Sequence, residues 1–339
     1  MKNNIYVGYY LEPYVWIGDK SHTKNAKELV FMAKDISPGI DIGIQRQGLV
    51  IASIQTANIP EYCDNNSANA LTSQSTSFIL DFFNALSFSI YEAQMRKYAG
   101  GFCSIPQEIS IRDLYLWLEQ DKSIPEINYI QPASMFSGEF YTFQEMISRG
   151  KKSIGIFLND INFMTDVFDV DEDVFTQHLD KRLLNHNLLK LFALLNRGVT
   201  SIRSASFDMS LISIWSVIES IIRDIFSDLL NSENYIIKDS KVFKILKGNI
   251  KSQKDRDISV YLMTKELKMN KTISKSIFDE INLLRNQRNN LIHQLKPVNS
   301  LVCSKAFLVV KELIYIKYSI QILHHGAFFV GDIKFPEEV

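Results

Sequence analysis

The spacing of apolar residues changes character along the chain. In the first sixty residues they gather in short runs, at 5–10, 28–33 and 49–55, separated by Gly, Pro and Asn. Such runs predict β-strands. A polar stretch at 64–77 reads as a loop. Phe78, Phe82, Leu86 and Tyr91 then recur at helical spacing, predicting a helix over 75–98. Residues 100–170 are mixed. From Val174 the pattern is helical throughout: a helix over 174–196 with a break near His186, a turn at Gly198, and a helix over 201–230. In that last stretch Leu211, Trp215, Ile218, Ile222, Ile225, Phe226 and Leu229 make a broad apolar face. Two further helices are predicted, over 274–297 and 301–323. The expected architecture is an α+β domain at 1–170 followed by an all-α helical bundle at 174–325.

Composition narrows the function classes. A chain of 339 residues suits two domains, and 46% hydrophobic content suffices for ordinary cores. The formal net charge of −1 advertises no nucleic-acid partner for the chain as a whole, so any basic surface must be local. Cys63, Cys103 and Cys303 are scattered and odd in number. That usage fits a reducing, cytoplasmic setting and neither a disulfide framework nor a structural zinc site. No signal peptide is read at the N-terminus, and charged residues such as Glu219, Arg223 and Lys311 interrupt the best candidate spans, so no membrane partner is expected. No P-loop and no dinucleotide fingerprint occurs, and no cofactor is expected. The acidic run 166–173 lacks the glycine and spaced glutamate of a calcium loop, so no metal site is assigned to it.

Candidate chemistry concentrates in residues 274–297. Ser274 is a natural N-cap and Pro297 stops the helix. Ile277, Ile281, Leu284, Leu291 and Ile292 form the expected buried stripe. Arg288, four residues after Leu284 and four before Ile292, points with that stripe, and a buried guanidinium demands a carboxylate, a partner chain or a phosphate. Arg285, Asn289 and His293 form a ridge beside it at i, i+4 and i+8. His293 lies near the C-terminal end, the end at which a helix dipole favours cations. Such a group can bind phosphate and move protons.

The run Arg288-Asn289-Asn290-Leu291-Ile292-His293 resembles the R-x4-6-H motif of the HEPN superfamily, with the polar residue that usually follows the arginine. The segment SIWSVIESII, which carries Glu219, resembles the second helix of Apea-like HEPN domains, where an acidic residue often stands. The resemblance covers roughly residues 180–323. It implies a metal-independent endoribonuclease acting as a homodimer through the C-terminal helical domain, of a kind found among antiphage-defence, abortive-infection and toxin effectors. It implies Arg288, Asn289 and His293 as the catalytic set, and RNA products ending in a 2′,3′-cyclic phosphate and a 5′-hydroxyl. Some members keep the fold without cleavage, so a nucleotide- or RNA-binding module is the alternative. By the same analogy, the N-terminal half would meet a regulatory partner or phage-derived trigger.

Two supporting features follow. Glu219, at the edge of an apolar helix face, is assigned as a structural partner for Arg285 or Arg288. Lys241, Lys244, Lys247, Lys251 and Lys254 recur every three or four residues and form one basic, RNA-facing stripe if their segment is helical. From Lys238 to Arg288 thirteen Lys and Arg stand against six Asp and Glu.

Overall fold

The computed structural model describes residues 4–11, 15–17, 29–37, 39–46, 48–61, 72–97, 107–111, 113–117, 131–132, 162–164, 186–232, 235–248 and 258–322. The chain forms two compact units, 1–196 and 197–339. The domain boundary expected at 170–174, the acidic run 166–173, Cys63, Cys103, Lys251 and Lys254 lie outside the described residues.

In the first unit, β1 (Asn4–Tyr10), β2 (Val15–Ile17), β3 (Leu29–Ser37), β4 (Ile40–Gln45) and β5 (Leu49–Gln55) precede α1 (Ser73–Lys97). Three short strands follow: β6 (Tyr115–Trp117), β7 (Gln131–Pro132) and β8 (Asn162–Met164). Six of the strands build one antiparallel sheet in the order β3-β4-β5-β1-β6-β7. β2 and β8 pair separately and parallel. The three expected strands and the expected helix are present. β4 is additional: Ile40, Ile42 and Ile44 alternate with Asp41 and Gly43, two poor strand formers, although Gly43 and Gln45 are buried along with the isoleucines. Gly48 makes the β4–β5 turn at φ +78°, a left-handed conformation that glycine enters without strain. Its N–H donates to the Gln45 carbonyl at 2.8 Å.

The helix α1 buries Phe78, Phe82, Phe83 and Leu86. Phe83 meets Tyr9 of β1 edge-to-face, ring centroids 5.7 Å apart. Asn84 is the polar fastener of this unit. Its Oδ1 accepts from Ile109 N at 2.9 Å and from Asn196 Nδ2 at 3.1 Å. Asn196 also donates to the Gln107 carbonyl at 2.6 Å.

The second unit is helical. Asn196 and Gly198 both belong to α2 (His186–Arg203), within which the division between the units falls. Then come α3 (Phe207–Leu230), α4 (Ser240–Gly248), α5 (Val260–Met269), α6 (Lys275–Gln294) and α7 (Ser300–Tyr318). α3 is the central helix, touching α5, α6 and α7. Its partnership with α7 is parallel: Cys303 Sγ donates to the Phe207 carbonyl at one end, and Tyr318 Oη to Asp224 Oδ2 at the other. Burial pushes the Cys303 thiol up to about 11.

The turn expected at Gly198 is not there; α2 continues through it to Arg203. The chain reverses at 204–206 instead. Ala205 adopts φ +56°, and its N–H and that of Ser206 donate to the Ile202 and Ser201 carbonyls. These are the two bonds of a Schellman ending, made here without the usual glycine. Gly198 serves packing: a Cβ there would stand 2.5 Å from Ile214 Cγ1. Ile214 is fully buried and β-branched on a helix, so it has little freedom to turn aside. Gly198→Ala should therefore destabilise the protein by about 1–3 kcal/mol in thermal unfolding, despite alanine's better helix propensity.

Candidate functional site

The α6 helix begins where the Ser274 hydroxyl accepts from Ile277 N at 3.1 Å, as the sequence predicts. It ends at Leu295, which takes φ +53° two residues before Pro297. Its buried residues are Phe278, Ile281, Leu284 and Leu291. These follow one another at intervals of three and seven, shorter than whole 3.6-residue turns, so the core-facing line slides around the helix. It leaves Arg288 on the edge, half-buried rather than interior, and it leaves Ile292 42% exposed. Ile277 is likewise only half-buried. The expected stripe is thus corrected at three positions.

Among the described residues Arg288 meets no carboxylate, and it stands outside the core. Its Nη1 donates to Asn289 Oδ1 at 3.2 Å. The asparagine is therefore turned to the arginine, and no hydrogen bond joins it to His293 among the described residues. His293 is exposed on the last turn. Five residues separate Arg288 from His293, and about 140° of helix rotation lies between them. Asn289 stands between, and it is one turn from His293.

Glu219 is placed elsewhere. The sequence assigns it to Arg285 or Arg288, but it accepts from Arg223 Nη2 at 2.7 Å, one turn along the same helix. An i, i+4 pair on one helix costs less side-chain entropy than a bridge between helices, so the nearer arginine wins. Both partners are about a third exposed, which limits the pair's contribution to stability.

Arg285 is held by an aromatic ring. Its guanidinium carbon lies 4.8 Å from the centroid of Tyr261, on α5. Its Nε is shielded from solvent and has no hydrogen-bond partner among the described residues. Beside it, the Tyr261 and Phe278 rings lie 6.1 Å apart, and Lys268 Nζ stands 4.0 Å over Phe278. Nothing in the local sequence joins Tyr261 to Arg285, twenty-four residues on, and the sequence reading misses it.

Among the five lysines of the stripe, Lys241 and Lys244 are exposed on α4, and Lys247 lies in the same helix. The helix ends at Gly248, so one continuous element carries the first three. Asp239 caps it, accepting from Lys241 N at 2.8 Å and Val242 N at 3.2 Å. Lys265 Nζ lies 2.6 Å from the other Asp239 oxygen. That hydrogen bond, first among the causes, holds the Asp239 carboxyl below the usual carboxylate range. A lowered folded value means the carboxylate stabilises the fold above its ordinary pKa and loses that contribution as pH falls through about 4 and below. The acid-side decline in melting temperature should be shallower in Asp239→Asn than in wild type.

The element entering α4 is fastened by a second carboxylate that sequence reading misses. Glu266 is fully buried on α5. Its Oε1 accepts from Tyr235 Oη, Lys238 N and Asn270 Nδ2, each at 2.8 Å, and its Oε2 from Asp239 N at 2.7 Å.

No family model, curated protein or solved structure compared with the chain matches it. Among the described residues, no three His, Cys, Asp or Glu side chains gather as metal ligands, and no helix is long and apolar enough to cross a membrane.

Proposed function

We propose that the C-terminal helices form a HEPN-type endoribonuclease that cleaves RNA without a metal ion, with Arg288, Asn289 and His293 as its working residues. One observation carries this reading. Arg285, Arg288 and His293 crowd the last three turns of one helix, and none of them makes an ion pair among the described residues. Basic side chains gathered without a carboxylate are suited to an anion from outside the chain.

RNA supplies its own nucleophile. The 2′-oxygen attacks the adjacent phosphorus and its proton passes to a base; the bond to the 5′-oxygen breaks, and that oxygen takes a proton. The products are a 2′,3′-cyclic phosphate and a 5′-hydroxyl. His293 moves a proton, since an imidazole can both accept and donate one. Arg288, steadied by Asn289, offers paired N–H donors to the phosphoryl oxygens, where charge builds in the transition state. Lys241, Lys244 and Lys247 hold the strand electrostatically.

Because Arg288 and His293 diverge on one helix, a homodimer through the C-terminal unit brings two motifs to one phosphate in this reading. The exposed apolar residues of this unit support such a face. Met209, Leu295 and Leu301 are 51%, 84% and 63% exposed. The bond from Val298 N to Asp208 Oδ1 ties the end of α6 to the start of α3, bringing their segments to the same end of the bundle as His293. The N-terminal unit is assigned a regulatory role, toward a partner or phage-derived trigger, by analogy alone.

The test is RNA cleavage by the purified protein in EDTA, with His293→Ala beside it and the new ends mapped. Cyclic-phosphate ends made by wild type and not by a folded, dimeric variant support the nuclease. RNA binding without cleavage, in a protein whose expression is equally tolerated with either residue, supports the non-catalytic module instead.

A further inference from the structure

We propose that Tyr261 and Arg285 form a stacking platform for one base of a bound single strand, beside the phosphate-handling end of α6. The inference rests on the nuclease reading for its substrate class, and on separate geometry for its site. Tyr261 is 37% exposed, high for a ring packed against another helix. The Arg285 guanidinium lies over that ring at 4.8 Å and makes no hydrogen bond or ion pair among the described residues. An arginine held by a π face alone keeps its plane in place without spending its donors. Bases of single-stranded RNA stack on aromatic rings and on arginine planes in this way.

The placement matches a strand path. Arg285, Asn289 and His293 follow one another at intervals of four along α6, spanning about 12 Å of helix axis. That is roughly three to four stacked nucleotides at about 3.4 Å each. Lys268, over the neighbouring Phe278 ring, adds positive charge next to the platform. The acidic residues of α6, Asp279 and Glu280, fall about 120–140° away from Arg285 around the helix. The platform divides the labour of the two arginines: Arg285 positions a base and Arg288 meets the phosphate.

The experiment is fluorescence anisotropy of the full chain with a short 2′-O-methyl RNA, which lacks the attacking hydroxyl, and with the same backbone carrying abasic sites. The variants are Tyr261→Leu, which keeps apolar volume but no π face, and Tyr261→Phe, which keeps the ring; thermal melts accompany both. Tyr261→Leu should weaken binding of the base-bearing strand by about fivefold or more, leave the abasic strand unaffected, and be rescued by Tyr261→Phe. Equal binding of both strands by wild type, or unchanged binding by a folded Tyr261→Leu, overturns the platform. Cleavage of all-ribose RNA is read separately: cleavage with no Tyr261 effect sinks the platform alone, and a Tyr261 effect without cleavage sinks the nuclease alone.

Discussion

Replacing His293 with alanine should lower RNA cleavage by about 10²–10⁴-fold, the usual contribution of a general acid–base group, while the melting temperature and the elution volume stay at wild-type values. The separation of these effects follows from the side chain's surroundings. His293 is exposed, near a helix end, and among the described residues it has no hydrogen bond or ion pair to lose. Alanine is also the stronger helix former. Lysine at Arg288 should show the companion behaviour: it keeps the charge, but a lone ammonium can neither reproduce the guanidinium fork nor hold the same geometry against Asn289 Oδ1. Cleavage should fall in both variants with no loss of fold. A mixture of the two single variants, forming mixed dimers, should regain activity if the site combines arginine and histidine from different chains.

The largest loss of stability should come from Glu266→Ala. Four donors converge at 2.7–2.8 Å on this carboxylate, whose residue is fully buried. Two of them are main-chain N–H groups at Lys238 and Asp239, which have no rotamer through which to seek water. Truncation leaves three of them without this acceptor, while Asn270 Nδ2 keeps its bond to the Glu266 carbonyl at 3.0 Å, and an orphaned donor shielded from water costs about 1–3 kcal/mol before relaxation. A net loss of at least about 3 kcal/mol is expected, on the order of 10 °C in melting temperature for a unit of this size. Glu266→Gln retains an acceptor for part of the set and should lose less. The same substitution frees the segment that leads into α4, so RNA affinity should fall with stability, in contrast to His293→Ala.

Local signals in the sequence were enough for elements whose information is local. The apolar runs at 5–10 and 49–55 are strands β1 and β5, and Ser274 caps the helix it was assigned to. Where two segments decide the matter together, the sequence misleads. Gly198 looks like a stop, yet its missing side chain makes room for Ile214, sixteen residues away. The true reversal uses Ala205, a residue with no turn signature. Glu219 looks like a partner for the motif helix because that helix must pack somewhere near; Arg223, one turn away, reaches it first. Glu266 and Tyr261 carry no local mark at all. Their roles arise from donors and cations brought from 235–239 and from α6, and only the folded chain places those together.

The most direct measurement uses a DNA strand containing a single ribonucleotide, incubated with the purified protein in EDTA. The account predicts one cut, on the 3′ side of that ribose, leaving a 2′,3′-cyclic phosphate and a 5′-hydroxyl, absent with the all-deoxy strand and with His293→Ala. Cleavage of the all-deoxy strand, or the same cut made equally by His293→Ala, would contradict it.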